Sequence, residues 1–594
     1  MRTHVLKVAW AVLLVGSLGA VVTLNRSAVT GSANDREPSD AIARYGFQLR
    51  ERAAAAGIAF VHEGPSFDRR LEHIMPQVGS TGAAVAVADF DRDGWQDFYV
   101  TNSAAGSLNR LYRNLGTGAF AEVASELGVA DVNHLVSGVS MGAVWGDYDN
   151  DGYEDLFVYK YGRPELFHND AERRFTSIGE QAGLPAWVNA NSSVWLDFDR
   201  DGWLDLFIAG YWPEDVNLWQ LTSTRIMPES FEYAENGGRK YLLRNRGNGT
   251  FDDVTVGAGI DSRRWTLAVA AGDLLGTGYP DLFLANDYGV SQLYSNRGGR
   301  RFVDVGGETG VGRTPKSGMN AAFGDVFNDG RLAIYKTNIT EPGVLVQGND
   351  LWVPKTSGTA PRYENLASSV GVDLGGWSWG AQFGDVNNDG TLDLYLVNGY
   401  VSAGDRTSYW YDFAEIAVGH RCIIADAKNW PPMRGRSLSG YQRSRVWLND
   451  GRGRFSDVAA LVGVTDEYDG RAVALADLSN EGVLDIIVAN QRGPLLLYKN
   501  DVALGRHWIA FELTGRASNR SAIGARVEVH WNGARQAQEV SGGSGFSAQS
   551  QRRLHYGLGA APQIDKAVIR WPNGRSQTMA SPQVDRLHAV LEPQ

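Results

Sequence analysis

The nonapeptide DFDRDGWQD at 89–97 places carboxylates at positions 1, 3, 5 and 9 around a glycine at position 6. A hard cation such as Ca²⁺ takes six to eight oxygen ligands, and a glycine at the sixth position lets the chain turn back sharply around it. The candidate ligands here are Asp89, Asp91, Asp93 and Asp97. The pattern returns at 147–155 (Asp147, Asp149, Asp151, Asp155) and at 197–205 (Asp197, Asp199, Asp201, Asp205). It returns again at 385–393 as Asp385, Asn387, Asp389 and Asp393, and in weaker form at 477–485 as Asp477, Ser479, Glu481 and Asp485. The main-chain carbonyl of position 7 (Trp95, Tyr153, Trp203, Thr391) is expected to complete each shell. Two further copies are eroded: DLLGTGYPD at 273–281 carries Leu275 and Thr277, and DVFNDGRLA at 325–333 carries Phe327 and Ala333. The sequence therefore predicts four or five bound Ca²⁺ ions. Without a cation the clustered carboxylates repel one another; with one they clamp two flanking strands. A closed loop of this kind leaves no open coordination position, so the metal is expected to be structural rather than catalytic.

The segments around these loops must be strands. A run of small residues enters each loop (GAVWGD, AAFGD, GAQFGD) and an apolar run leaves it (FYVTNS, LFVYK, LFIAG, LFLAND, LYLVNG, IIVAN). A second signature follows, as LYRNLGTGAF, LFHNDAERRF, LLRNRGNGTF, LYSNRGGRRF and WLNDGRGRF, where Asn and Gly suit a hairpin turn. Period-two alternation between turn signals gives about four short antiparallel strands per repeat, the content of one propeller blade. The predicted fold is all-β: a seven-bladed β-propeller with calcium-binding loops over 45–502, then a small C-terminal β domain over 503–594. Excess spacing marks long inserted loops near 213–240 and 401–443.

Composition narrows the function. A formal charge of −12 argues against a nucleic-acid partner, because phosphate neutralisation needs basic surface. Cys422 is the sole cysteine, which excludes an intrachain disulfide and a cysteine metal cluster; it is expected to be a buried, inert thiol. Arg2 and Lys7 precede an uncharged run from Val8 to Leu24. That layout predicts a signal peptide or N-terminal membrane anchor over 1–26, a polar linker over 27–44, and an extracytoplasmic location for the rest. The membrane would be touched only through that first segment.

The acidic loops resemble the FG-GAP/VCBS repeats of integrin α-chain propellers. The first unit, GIAFVHEGPS to DFDRDGWQDFYVTN, is similar to the opening blade of bacterial members of the cartilage acidic protein family, with His62 and Glu72 at positions commonly held by His and Glu there. SNRSAIGARVEV (518–529), GGSGFSAQSQ (542–551), HYGLG (555–559) and VIRWPNGR (568–575) resemble the ASPIC/UnbV domain that follows such propellers. The resemblance covers roughly 45–594 and implies a secreted or surface calcium-dependent propeller, some relatives binding matrix or receptors and some bacterial ones lying in natural-product gene clusters.

No nucleophile elbow, phosphate loop, dinucleotide fingerprint or HExxH is present. His62 and Glu72 are candidates for an acid–base pair, or simply for hydrogen bonds at the ring closure. The default ligand site of a propeller is one open end of its channel. Residues just before the loops should face it: His73, Thr81, Ser140, Met141, Asn191, Trp265, Met319, Asn320, Trp377, Trp379 and Arg471. Asp287, in ANDYG past the eroded fourth loop, is a further catalytic or pocket candidate. Arg552, Arg553 and His555 are expected on a solvated strand edge. The leading expectation is a non-enzymatic binding module for protein, glycan or a small hydrophobic molecule. The alternative is a secondary-metabolism enzyme of cyclase or isomerase type that uses the central pocket.

Overall fold

A computed structural model describes residues 40–171, 174–355, 361–417 and 421–594. The predicted export segment, most of the linker and the side chain of Cys422 lie outside the described residues. Among the described residues no helix is long and apolar enough to cross a membrane.

The repeat unit is a four-stranded antiparallel meander. In the first unit, Val85–Ala88 enters an acidic loop, Asp97–Val100 leaves it, and Arg110–Asn114 and Phe120–Glu122 complete the sheet. Val85–Ala88 is buried along its whole length, which explains its small side chains: neighbouring sheets press on it from both sides. The same order recurs from Gly138–Gly146, Val188–Leu196, Trp265–Gly272, Ala322–Gly324, Ser378–Gly384 and Gly470–Ala476. The last of these sheets is completed by the N-terminal strand Phe47–Glu51, antiparallel to Leu496–Val502. The entering strands stand side by side: Trp145 Nε1 donates to Ala86 O at 3.2 Å, Val269 N to Ser192 Oγ at 3.1 Å and Ala381 N to Asn320 Oδ1 at 2.9 Å. This is the architecture of a β-propeller.

The Asn of the second signature does more than turn a hairpin. Asn114 donates its amide to Leu478 O (2.8 Å), Asn169 to Phe90 O (2.9 Å), Asn245 to Tyr148 O (2.8 Å) and Asn296 to Phe198 O (2.8 Å). Asn449 and Asn500 do the same to Val326 O and Val386 O. Each reaches the second residue of the preceding sheet's acidic loop, and Asn114 joins the first sheet to the last. The fifth sheet lacks the Asn; there Tyr363 Oη donates to Leu274 O at 2.8 Å.

The C-terminal region forms two small sheets. His507–Thr514 lies between Leu554–Gly559 and Arg586–Leu591, and Arg526–Trp531 between Ala534–Glu539 and Lys566–Arg570. It docks on the face that carries the acidic loops, and residues 541–551 enter the channel. Ala548–Gln549 pairs in parallel with Val85–Ala86, and Gln549 Oε1 accepts from Trp145 N at 2.7 Å. Phe546 is fully buried, 4.9 Å from Trp379 in an edge-to-face contact. A Cβ on Gly542 would lie 2.1 Å from Trp195 O, so only glycine passes there. The expected solvated edge is instead this interface. Arg553 donates to Gly94 O at 3.0 Å and His555 sits 2.8 Å from Asn388 Oδ1, with burial holding its imidazole down to about 4. These groups are needed to satisfy carbonyl and amide oxygens that the docking removes from water.

The two inserts cross the opposite mouth of the channel and bond to each other: Met227 N donates to Ala425 O (3.1 Å) and Ala427 N to Thr224 O (2.8 Å).

Candidate functional site

The seven loops share one conformation. Position 4 is left-handed, at Arg92, Asn150, Arg200, Gly276, Asn328, Asn388 and Asn480, and so is the glycine at position 6. The first Asp accepts the N–H of that glycine in every copy, from Gly94 to Asp89 at 3.0 Å through to Gly482 to Asp477 at 2.7 Å. The eroded copies keep the turn, so backbone bonds and not ligands set its shape. The N–H of position 7 donates to the Asp at position 5 in the four best copies: Trp95 to Asp93, Tyr153 to Asp151, Trp203 to Asp201 and Thr391 to Asp389.

Carboxylates converge in the first three loops. Ligand oxygens of Asp89, Asp91 and Asp97 lie within 4.8 Å of one another, as do those of Asp147, Asp149 and Asp151, and of Asp197, Asp199 and Asp205. Burial, with neighbouring acids adding to it, pushes Asp97 up to about 9, Asp147 to about 8 and Asp197 to about 7. Asp89 Oδ1 and Asp199 Oδ1 are buried and receive no hydrogen bond. An all-oxygen donor set with orphaned, desolvated carboxylate oxygens fits a hard divalent cation. Asp149 and Asp155 also converge with His168, whose Nδ1 lies 3.2 Å from Asp149 and 3.3 Å from Asp155. Resident bases stand at the same place elsewhere: Arg113 is 2.8 Å from Asp91, Arg244 is 2.7 Å from Asp199 and Lys499 is 3.4 Å from Asp485. In the sixth loop that place belongs to Leu448, and Asp385 and Asp393 are held well above the carboxylate range by burial.

At the channel end away from the loops lies a cavity of about 440 Å³. One wall is Tyr211, Trp212, Trp265 and Tyr288; Trp265 meets Tyr211 at 4.9 Å, Trp212 at 5.0 Å and Tyr288 at 6.0 Å, all edge-to-face. The other wall is Trp377, Trp379, Tyr400 and Trp410, with Trp377 stacked on Tyr400 at 4.1 Å. Phe231 and Phe413, from the two inserts and 5.6 Å apart, bridge the walls. Asp287 sits in the first wall. Its Oδ2 accepts from Tyr211 Oη at 3.1 Å and its Oδ1 from Tyr288 N at 3.0 Å, while burial raises the carboxyl to about 7. The indole N–H groups of Trp377 and Trp379 are buried without a partner.

Of the residues expected at the channel, Thr81, Trp265, Asp287, Met319, Trp377 and Trp379 line this cavity. Arg471 is not among the lining residues: its guanidinium lies over the ring of Trp379, 4.2 Å from the centroid, and donates to Ser80 O, Gly399 O and Tyr400 O. Asn191 and Asn320 lie deeper, beside the inserted 541–551 segment; Ser547 Oγ donates to Asn191 O at 3.3 Å. Ser140 and Met141 are buried in the entering strand Gly138–Gly146. His73 Nε2 lies 2.9 Å from Ala427 O and ties the second insert to the ring. Both nitrogens of His62 are engaged, by Ser103 Oγ and by Arg492 N, and burial takes its pKa down to about 3; Glu72 is exposed. Sequence reasoning missed Tyr211, Trp212, Tyr288 and Tyr400 because, Asp287 apart, it followed the entering strands and not the leaving ones. The signal was the sixth residue after each loop's last Asp: Tyr161, Tyr211 and Asp287 occupy that place, and Tyr400 follows one residue later.

Fold and loops together define a class: a β-propeller of FG-GAP-like repeats with an appended C-terminal β domain. The FG-GAP-like repeat family matches residues 89–158, 147–208, 273–335 and 437–488, and the ASPIC and UnbV family matches 515–594. The chain carries FG-GAP repeats followed by a C-terminal ASPIC/UnbV domain, and it is homologous to cartilage acidic protein 1, which has the same domain architecture. It is 24% identical to the Mus musculus protein over 367 residues, covering 59% of this chain and 49% of that one. To the Homo sapiens protein it is 24% identical over 366 residues, 59% of this chain and 47% of the relative. The chain thus spans about half the length of the curated relatives it matches. Among solved structures it is similar to the BP39L lectin from Burkholderia pseudomallei, at 10% identity over 71% of this chain and 97% of that one, with a TM-score of 0.41. It is also similar to an Agrocybe aegerita lectin described as recognising non-reducing terminal N-acetylglucosamine, at 14% identity, 66% and 85% coverage and a TM-score of 0.34. Likenesses so distant do not say what this chain binds.

Proposed function

We propose that this chain is an exported, calcium-stabilised, seven-bladed β-propeller that acts as a recognition module, and that its ligand site is the aromatic cavity at the channel end opposite the loops. The observation that carries this reading is a cavity of about 440 Å³ walled by aromatic rings, with two buried indole N–H groups that have no partner. Such donors cost free energy unless something accepts from them. The size suits a small molecule, or one ring of a larger protein or glycan ligand. Ca²⁺ on the opposite face would serve the scaffold alone. The uncharged run Val8–Leu24 supports export, and membrane contact would be confined to that segment.

A ligand screen by thermal shift at saturating calcium tests the reading. A ligand at one hundred times its Kd should add about 2.7 kcal/mol to stability, and Tyr400→Ala should remove the shift. Ligands that act equally on wild type and on Tyr400→Ala would place the site elsewhere.

One observation favours a second, enzymatic reading: Asp287 is a carboxyl held at about 7 inside aromatic walls, suited to donate a proton and to stabilise positive charge, as acid-initiated cyclisation requires. Turnover of a small molecule that Asp287→Asn abolishes without lowering Tm would establish it; turnover unchanged in that variant would remove it.

A further inference from the structure

Resting on the reading of the cavity as a ligand site, we infer that its ligand is an organic cation of the quaternary or tertiary ammonium class, with Asp287 as counter-ion and Tyr211, Trp265, Tyr288 and Phe231 as the cage.

Charge decides the class first. Among the residues that line the cavity, Asp287 and Glu232 are acidic and none is Lys, Arg or His. An anion entering there would meet a carboxylate in a site without a basic group to receive it. The neighbouring bases are engaged: carbonyls of Ser80, Gly399 and Tyr400 take the N–H groups of Arg471, which already lies over the ring of Trp379, and Arg264 pairs with Glu235 at 2.7 Å. That places a ligand cation against the other wall, beside Asp287.

Ring geometry points the same way. Trp265 sits edge-on to both tyrosines, and Phe231 lies 5.7 Å from Tyr288 at a 57° tilt. Tyr211, Trp265, Tyr288 and Phe231 line one cavity, and a cation within about 6 Å of an aromatic face is attracted by its quadrupole. A primary ammonium would need three acceptors for its N–H groups. A quaternary nitrogen needs none and a tertiary one needs a single acceptor, which Asp287 can supply within largely apolar walls.

The groups packed around Asp287 limit its titration. Tyr211, Tyr288 and, from the opposite wall, Tyr400 face it, and burial lifts all three phenols well above the ordinary range; Ser317 bonds to it, and Glu232 stands on the covering insert. The pH dependence of cation binding between roughly 6 and 8 is therefore that of Asp287, which is mostly neutral at the lower value and mostly ionised at the upper.

The experiment compares choline with its uncharged carbon isostere, 3,3-dimethyl-1-butanol, by tryptophan fluorescence titration of the calcium-loaded full chain. Near pH 8 choline should bind at least tenfold more tightly than the alcohol, and Asp287→Asn should bring the two within about twofold of each other. Should that variant fail to fold, the wild type answers alone: choline affinity should rise about tenfold from pH 6 to pH 8 while the alcohol's stays level. Equal affinity for both probes, with the alcohol bound, would overturn the cation inference and leave the cavity a ligand site. Silence of the pocket tryptophans to both probes would overturn the inference together with the reading beneath it.

Discussion

The charge on the acidic loops makes a quantitative prediction. Asp97 is pushed up to about 9 in the folded chain without a cation, against about 3.9 for a free aspartate. At neutral pH the ion-free fold must hold a proton that the unfolded chain releases. The linkage cost is about 4 kcal/mol at pH 7 for this one group, from about 1.36 kcal/mol per pH unit over roughly three units. The sign follows from a raised folded pKa: the contribution is fully present below the unfolded value near 4 and is lost as pH climbs towards 9. Asp147 and Asp197, pushed to about 8 and about 7, act in the same direction. A bound Ca²⁺ keeps all of them ionised and removes the dependence. Melting curves in calcium and in EDTA, near pH 5 and near pH 8, test this. Calcium should raise Tm by several degrees more near pH 8 than near pH 5, because 4 kcal/mol per loop corresponds to a few degrees in a chain of this size. A calcium effect of equal size at the two pH values, or none at either, would refute the reasoning.

Two further outcomes follow. Asp89→Ala should abolish part of the calcium-dependent rise in Tm, whereas Asp325→Ala, in a loop where Phe327 and Ala333 stand in place of two ligands, should lower Tm to the same extent with and without calcium; comparing the two melts in EDTA and in calcium separates them. Asn449→Ala removes a buried amide that bonds to Val326 O and Leu392 O, so it should cost about 1–3 kcal/mol by urea denaturation and leave calcium affinity unchanged.

The acidic loops and their strands were legible because their signals are local. Glycine at position 6 and carboxylates at fixed offsets are dictated by a turn that spans nine residues, and the alternation around them by one sheet. The cavity was half legible. Trp265, Trp377 and Trp379 announce themselves on entering strands, but Phe231, Trp410 and Phe413 come from inserts with no repeat to anchor their register. Asn114 and its equivalents looked like turn residues, and their side chains do sit at hairpins; that they also reach the neighbouring sheet depends on sheet-to-sheet geometry, which no single repeat encodes. The docking of the tail was hidden for the same reason. Arg553 and His555 read as solvent-facing charge until Gly94 O and Asn388 lie opposite them.

The strand Phe47–Glu51 completes the sheet that the last repeat begins, so the ring closes on itself, and Phe546 and Ala548–Gln549 close its loop-side entrance. Residues 541–551 thereby turn an open pipe into a cup with a floor. Shortening the polypeptide at its end would free one entrance of the tube and let water reach the aromatic chamber from below.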